Sequence, residues 1–207
     1  MSLLAGLSGR YLCPFGRACW RGRPSVQGCR ESRLQLYIDI EQAKSQKVSA
    51  LWDWWNCARG LRDFPDRQDF DPVLLKSILP WLLIADVEPS PFRIRYRLVG
   101  TRVAQFSGFD FTGGYLDEIW PGEASEPWLG CYRRAYDSRS FIVGSSTEAT
   151  TSGASLQYEF GAFPLSRGGS AIEQFVCVED YFGDAAVSAH WSDHGRLIVN
   201  GGPFILG

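Results

Sequence analysis

The chain is poor in histidine, with 2 in 207 residues, and both of them, His190 and His194, fall in the final stretch. With no imidazole in the body, a core His-ligated haem and a Ser-His-Asp set in usable order are set aside. The segment His190-Trp191-Ser192-Asp193-His194 has i, i+4 spacing, but it is not H-E-x-x-H and Gly195 follows at once, so no metal is assigned there. Long apolar runs are also missing. Nothing reaches the ~18 residues a membrane-spanning helix needs. The 6 cysteines include no C-x-x-C pair and no Cys/His cluster of zinc-ligand spacing. Phosphate loops of the G-x-x-x-x-G-K-[ST] or G-x-G-x-x-G type are missing, as are a G-x-S-x-G elbow and the flavin-photosensor signature around a reactive Cys. The cofactor is unknown at this stage.

What is there is apolar and aromatic. Hydrophobic residues make up 45% and aromatics 14%, with 8 Trp and 13 Phe, enough for a core built largely of rings. Charge is divided unevenly. Residues 1–33 hold six Arg and one acid, a surplus of +5, so residues 34–207 carry −7 of the net −2. An acidic body argues against a nucleic-acid partner. Residues 1–36 are expected to be a disordered, Arg- and Cys-rich head. Its apolar run, Leu3–Leu7, is too short for a secretory core. The isolated Cys57, Cys131 and Cys177 read as small core hydrophobes in a reducing, cytoplasmic setting. A redox-sensing thiol is the alternative.

The clearest local pattern is Phe92-Arg93-Ile94-Arg95-Tyr96-Arg97-Leu98-Val99, which alternates apolar and Arg with a period of two. It predicts a half-solvated strand of an antiparallel sheet. Gly100 ends it and Thr101 opens a short helix over 101–106. Upstream, a helix is predicted from about Ile40 to Arg59, with Val48, Leu51, Trp52, Trp55 and Ala58 along one stripe. That stripe is core or, through Leu51, Trp52 and Trp55, a dimer face. Asp71-Pro72 signals a helix over 73–79. Strands are expected at 82–88, 141–147, 155–165 and 171–178, with a Gly-rich bend at 108–114, a short helix at 115–120 and a longer one at 125–138. Glu148, Glu159, Glu173 and Glu179 alternate with apolar residues and read as the solvated face. The sum is an α+β fold, with five antiparallel strands and helices inserted between the second and third.

Several segments together resemble the PAS domain, in particular the single-PAS proteins common in alphaproteobacteria. They are Phe64-Pro65-x-Arg67-x-Asp69-Phe70-Asp71-Pro72, Leu79-Pro80, Arg97-Leu98-Val99-Gly100-Thr101, Gly108-x-Asp110-x-Thr112-Gly113 and Phe163-Pro164-Leu165-Ser166-x-Gly168. The resemblance implies a five-stranded sheet in order 2-1-5-4-3 with helices on one face, and motif residues Arg67, Asp69, Asp71, Pro72, Gly100, Thr101, Gly108, Asp110, Thr112 and Gly113 in structural roles. It divides the chain into a head (1–36), an N-terminal amphipathic helix (37–62), a PAS-like domain (63–182) and a tail (183–207). It implies a non-catalytic sensory or regulatory role in bacterial signal transduction. A small hydrophobic or aromatic ligand would then lie among Ile94, Tyr96, Leu98, Phe106, Phe109, Phe111, Leu116, Tyr158, Phe160 and Phe175. The expected protein partner is a second copy of the chain or a signalling protein. Two other readings stay open. One is a ligand-free homodimerising interaction protein. The other is a small enzyme using a cavity carboxylate such as Asp110.

Overall fold

The computed structural model describes residues 33–37, 39–107, 109–149 and 155–182. The six strands are β1 (Arg33–Leu36), β2 (Leu82–Pro89), β3 (Phe92–Val99), β4 (Ile142–Ala149), β5 (Ser155–Leu165) and β6 (Gln174–Phe182). The helices are α1 (Gln46–Arg59), α2 (Thr101–Ser107), α3 (Leu116–Ile119) and α4 (Glu126–Ser138). All pairing is antiparallel, in the order β1-β4-β5-β6-β2-β3. The last five strands thus follow the expected 2-1-5-4-3 order. The sixth, β1, lies within the segment expected to be a disordered head. It pairs Arg33 to Leu36 with Thr147 to Gly144 of β4. Gly144 permits this close approach, since a Cβ there would lie 2.4 Å from the Gln35 carbonyl oxygen.

Helices cover both faces of the sheet. Along β6, side chains alternate. Cys177 and Phe175 face α4, whose Tyr132 hydroxyl lies 3.3 Å from Cys177 Sγ and whose ring is 5.3 Å from Phe175. Asp180 faces the other way and accepts from Ser45 Oγ at 2.7 Å and Lys47 Nζ at 2.6 Å, at the start of α1. The β5–β6 register is unbroken, so α1 and α4 lie on opposite sides. We call the α4 side the inner face.

The helix expected from Ile40 starts at Gln46, where Ser45 caps it by accepting from the Lys47 and Val48 amides at 3.2 Å. Val48, Leu51, Trp54 and Trp55 are buried, each contributing about 1.5–3 kcal/mol. Trp55 donates through Nε1 to the Pro164 carbonyl at 2.8 Å. Trp52 is half-buried, with its ring 4.5 Å from that of Phe141. Leu51, Trp52 and Trp55 are therefore occupied within their own chain and do not form a free dimer face.

Two local expectations are corrected. Residues 73–78 form successive turns that lead into a short 3-10 helix, Leu79–Trp81, and no α-helix: Leu74 and Leu75 donate to Asp71 and Pro72, and Ile78 and Leu79 both return to Leu75. Seven residues ahead of Pro80 are too few for a stable α-helix, and the proline disfavours helical Leu79. In β3, the register passes from Ile84↔Leu98 to Ala85↔Tyr96. Arg97 is the extra residue of a bulge, so the alternation resets. Leu98 turns outward, 46% exposed, and Val99 takes the inward place.

The motif residues at 64–70 tie the end of α1 to the β5–β6 turn. The Arg67 amide donates to Ser166 and the Ser166 amide to Pro65. Asp66 accepts from the amides of Gln68 and Gly168 and from Ser166 Oγ, and those backbone donors hold its carboxyl below the usual range. Asp69 caps the Asp66 amide at 2.8 Å and pairs with Arg62 at 2.7 Å. Among the described residues no helix is long and apolar enough to cross a membrane.

Candidate ligand site on the inner face

The inner face brings together most of the residues predicted to line a pocket. Ile94 and Tyr96 from β3, Tyr158 and Phe160 from β5 and Phe175 from β6 meet Phe111 and Leu116 from the helical layer. Phe111 sits 4.9 Å from Tyr96 and 5.2 Å from Trp120, ring to ring. Phe106 of α2 stacks on Tyr181 at 4.1 Å and 9°. Two candidates fall elsewhere: Leu98 points outward because of the bulge, and Phe109 is 38% exposed. Asp110, the carboxylate offered for catalysis, is exposed and holds its own loop by accepting from Thr112 N at 2.9 Å and Oγ1 at 2.7 Å. Gly113 follows with φ 90°, a left-handed turn position. Gly108, His190, His194 and the cysteines of the head lie outside the described residues.

The rings are interrupted by polar groups. Tyr132 touches Cys177, and burial pushes the hydroxyls of Tyr96, Tyr132 and Tyr181 well above their usual range. Burial also pushes the Cys177 thiol up to about 12. All four stay protonated and neutral at pH 7. Glu179 is the exception. It stands on the inner face between Cys177 and Tyr181, opposite Phe160 of β5. Burial pushes its carboxyl up to about 7, against the lowering effect of the hydrogen bond that the Tyr181 hydroxyl donates to it. Among the described residues Glu179 has no ion pair. Lys47, at the same end of the sheet, is bound to Asp180 on the opposite face.

Glu179 and Glu159 both depart from the expected solvated face, in opposite directions. Glu159 is 2% exposed on the α1 side and accepts from the amides of Ser45 at 2.7 Å and Lys44 at 2.9 Å and from the Tyr37 hydroxyl at 2.9 Å. It fastens the segment leading into α1. Glu173 is exposed, as expected. The sequence holds a signal for Glu179: counting by twos from Phe175 puts it on the inward side, in a strand that runs to Phe182, past the expected end at Val178. Cys57 is exposed on α1, unlike the buried Cys131 and Cys177.

A recess of about 590 Å³ lies away from the inner-face rings, between the 61–69 loop and the 166–170 turn. Its charges already have partners: Arg62 pairs with Asp69, Arg139 with Asp63 at 3.1 Å, and Asp66 accepts from the Gln68 and Gly168 amides and Ser166 Oγ. Among the described residues no group of three or more His, Cys, Asp or Glu is placed to hold a metal ion.

A family model described as a PAS domain matches residues 43–176, more than half of the chain. No curated protein sequence matches significantly. Among solved structures, similarity extends to a light-oxygen-voltage domain studied with a flavin analogue, at 12% identity and TM-score 0.41, covering 59% of this chain and 94% of that one. It also extends to an RNA-binding light-oxygen-voltage receptor, at 12% identity and TM-score 0.42, covering 79% of this chain and 45% of that one.

Proposed function

The chain belongs to the PAS domain family, and from that premise we propose that it is a sensory or regulatory module. It takes a small, largely aromatic molecule on the inner face and reports occupancy to a partner protein. One observation carries the reading: the aromatic inner layer contains a carboxylate, Glu179, that has no cation of its own among the described residues. Proteins rarely keep such a group buried without use, because an unpaired charge in apolar surroundings costs free energy.

The same strand offers a route for the signal. Glu179 faces inward and its neighbour Asp180 faces outward, where it holds Ser45 and Lys47 at the start of α1. Across the sheet, Phe160 pairs with Glu179 and Glu159 with Asp180. A ligand that shifts β6 at Glu179 therefore pulls on the anchor of α1. Such a shift is limited by the difference in ligand affinity between the two states. Binding, not turnover, suits these groups, since the tyrosines and Cys177 around Glu179 are held protonated. Among the described residues neither a second base nor a thiolate stands beside it to share acid–base work.

Native mass spectrometry of the purified full chain tests this reading. The expected spectrum shows a small-molecule mass excess that disappears under denaturing conditions. A spectrum of the bare chain alone, as monomer or dimer, contradicts it and favours the ligand-free interaction protein.

A further inference from the structure

We propose that the molecule taken on the inner face is a planar organic cation, such as an amidinium or protonated amine carried on an aromatic ring, with Glu179 as its counter-ion. The assignment rests on the reading just given and adds the charge and shape of the ligand.

Three observations lead to it. The first is the unpaired carboxylate. A buried charge is stable when paired, and here the pairing cation is not supplied by the described residues of the chain. The second is the wall around it. Phe160 is the cross-strand neighbour of Glu179, and Trp128 meets Phe160 edge-on at 5.1 Å. Tyr181, two residues further along β6, carries Phe106 on its face and has Trp81 at 6.2 Å. Aromatic faces attract cations, and more strongly as water is excluded. This end of the sheet already displays the interaction, with Lys47 Nζ seated 4.6 Å from the centre of the Trp81 ring. The third is access. Glu179, Tyr181, Phe106, Trp81 and Trp128 are all half-buried, while Ile94 and Phe175, deeper on the same face, are fully buried. The carboxylate stands in the partly exposed part of the layer.

The other titratable groups facing Glu179 leave its charge unanswered. From β6 they are Tyr181 and Cys177 and from β3 Tyr96, with Tyr158 of β5 beside Tyr181 and Tyr132 of α4 beside Cys177. None of them bears a positive charge in any protonation state. An anionic ligand would meet Glu179 with like charge in a low-dielectric setting, which repels it. A neutral ring would leave the carboxylate unpaired.

The test uses three near-isosteric probes on the full chain at pH 8: benzamidine (cation), benzamide (neutral) and benzoate (anion), with titration calorimetry as the readout. The expected result is benzamidine binding at least tenfold more tightly than benzamide, with no binding of benzoate. In Glu179→Gln the preference for benzamidine over benzamide should disappear. Trp128→Leu, which keeps the carboxylate, should weaken benzamidine at least fivefold, and it stands in if Glu179→Gln does not fold. Benzamide or benzoate binding wild type as well as benzamidine overturns the cation assignment while leaving a ligand-binding inner face in place. Benzamidine affinity unchanged in Glu179→Gln overturns it as well. Failure of all three probes overturns it too, and a bare native mass spectrum then removes the ligand-binding reading with it.

Discussion

Glu179→Gln is expected to stabilise the folded chain at pH 8 by on the order of 3 kcal/mol and to leave it nearly unchanged at pH 4. The folded carboxyl sits at about 7 where the ordinary value is 4.5, and that gap corresponds to roughly 3 kcal/mol. The sign follows from which state holds the proton more tightly. Here the folded state does, because burial disfavours the carboxylate. As pH rises from about 4.5 to about 7, the unfolded chain releases its proton first and wild-type stability falls. Above that window the loss is complete and constant. The Gln variant has no such proton to lose and keeps the hydrogen-bonding shape. Urea unfolding of both proteins at pH 4, 6 and 8 gives the comparison. A difference in stability that does not change with pH refutes the account of Glu179, since every other titrating group is common to the two chains.

Gly100→Ala is expected to cost at least about 3 kcal/mol, at or beyond the top of the usual range for overpacking. A Cβ at this position would fall 2.4 Å from the Pro80 carbonyl oxygen and 2.8 Å from that of Leu82. Both obstacles are backbone, so no side chain can swing aside. The Gly100 amide donates to Leu82 at 2.7 Å, and its carbonyl accepts from Ala104 at 2.9 Å as α2 begins. Forcing the strands apart therefore disturbs the edge of the sheet and the helix carrying Phe106 together. Gly130→Ala is the matched control. It lies exposed in α4, where an added Cβ meets nothing within 4 Å, and alanine there should be neutral or stabilising by up to about 1 kcal/mol. Equal unfolding midpoints for the two variants contradict the close approach at Gly100.

Local pattern carried much of the fold. The alternation of β3, the stripe of α1 and the turn at Gly168, with φ 80°, were readable because each depends on neighbours in sequence. What escaped depends on distant partners. β1 is four residues whose pairing is decided by β4, more than a hundred positions away. The bulge at Arg97 is a matter of register with β2, invisible in β3 alone. From α1 alone Leu51, Trp52 and Trp55 read as core or as a dimer face, and only the fold brings Phe141 and Phe163 against the rings of Trp52 and Trp55. The motif residues from Phe64 to Asp69 read as structural, but their partners Ser166 and Gly168 lie about a hundred positions away. In the candidate site the rings were foreseen and the carboxylate was not. Glu159 and Glu179 have the same local context of alternation, and only the layers on each side of the sheet separate an α1 anchor from an unpaired acid.

Titration of the side-chain carboxyl carbons of glutamate by NMR, in the carbon-13-labelled full chain, tests the unpaired acid most directly. One resonance should titrate near 7, vanish in Glu179→Gln, and shift to lower pH when benzamidine is added. Glutamates that all titrate near the ordinary value of 4.5, or a high-titrating resonance that survives the substitution, would contradict it.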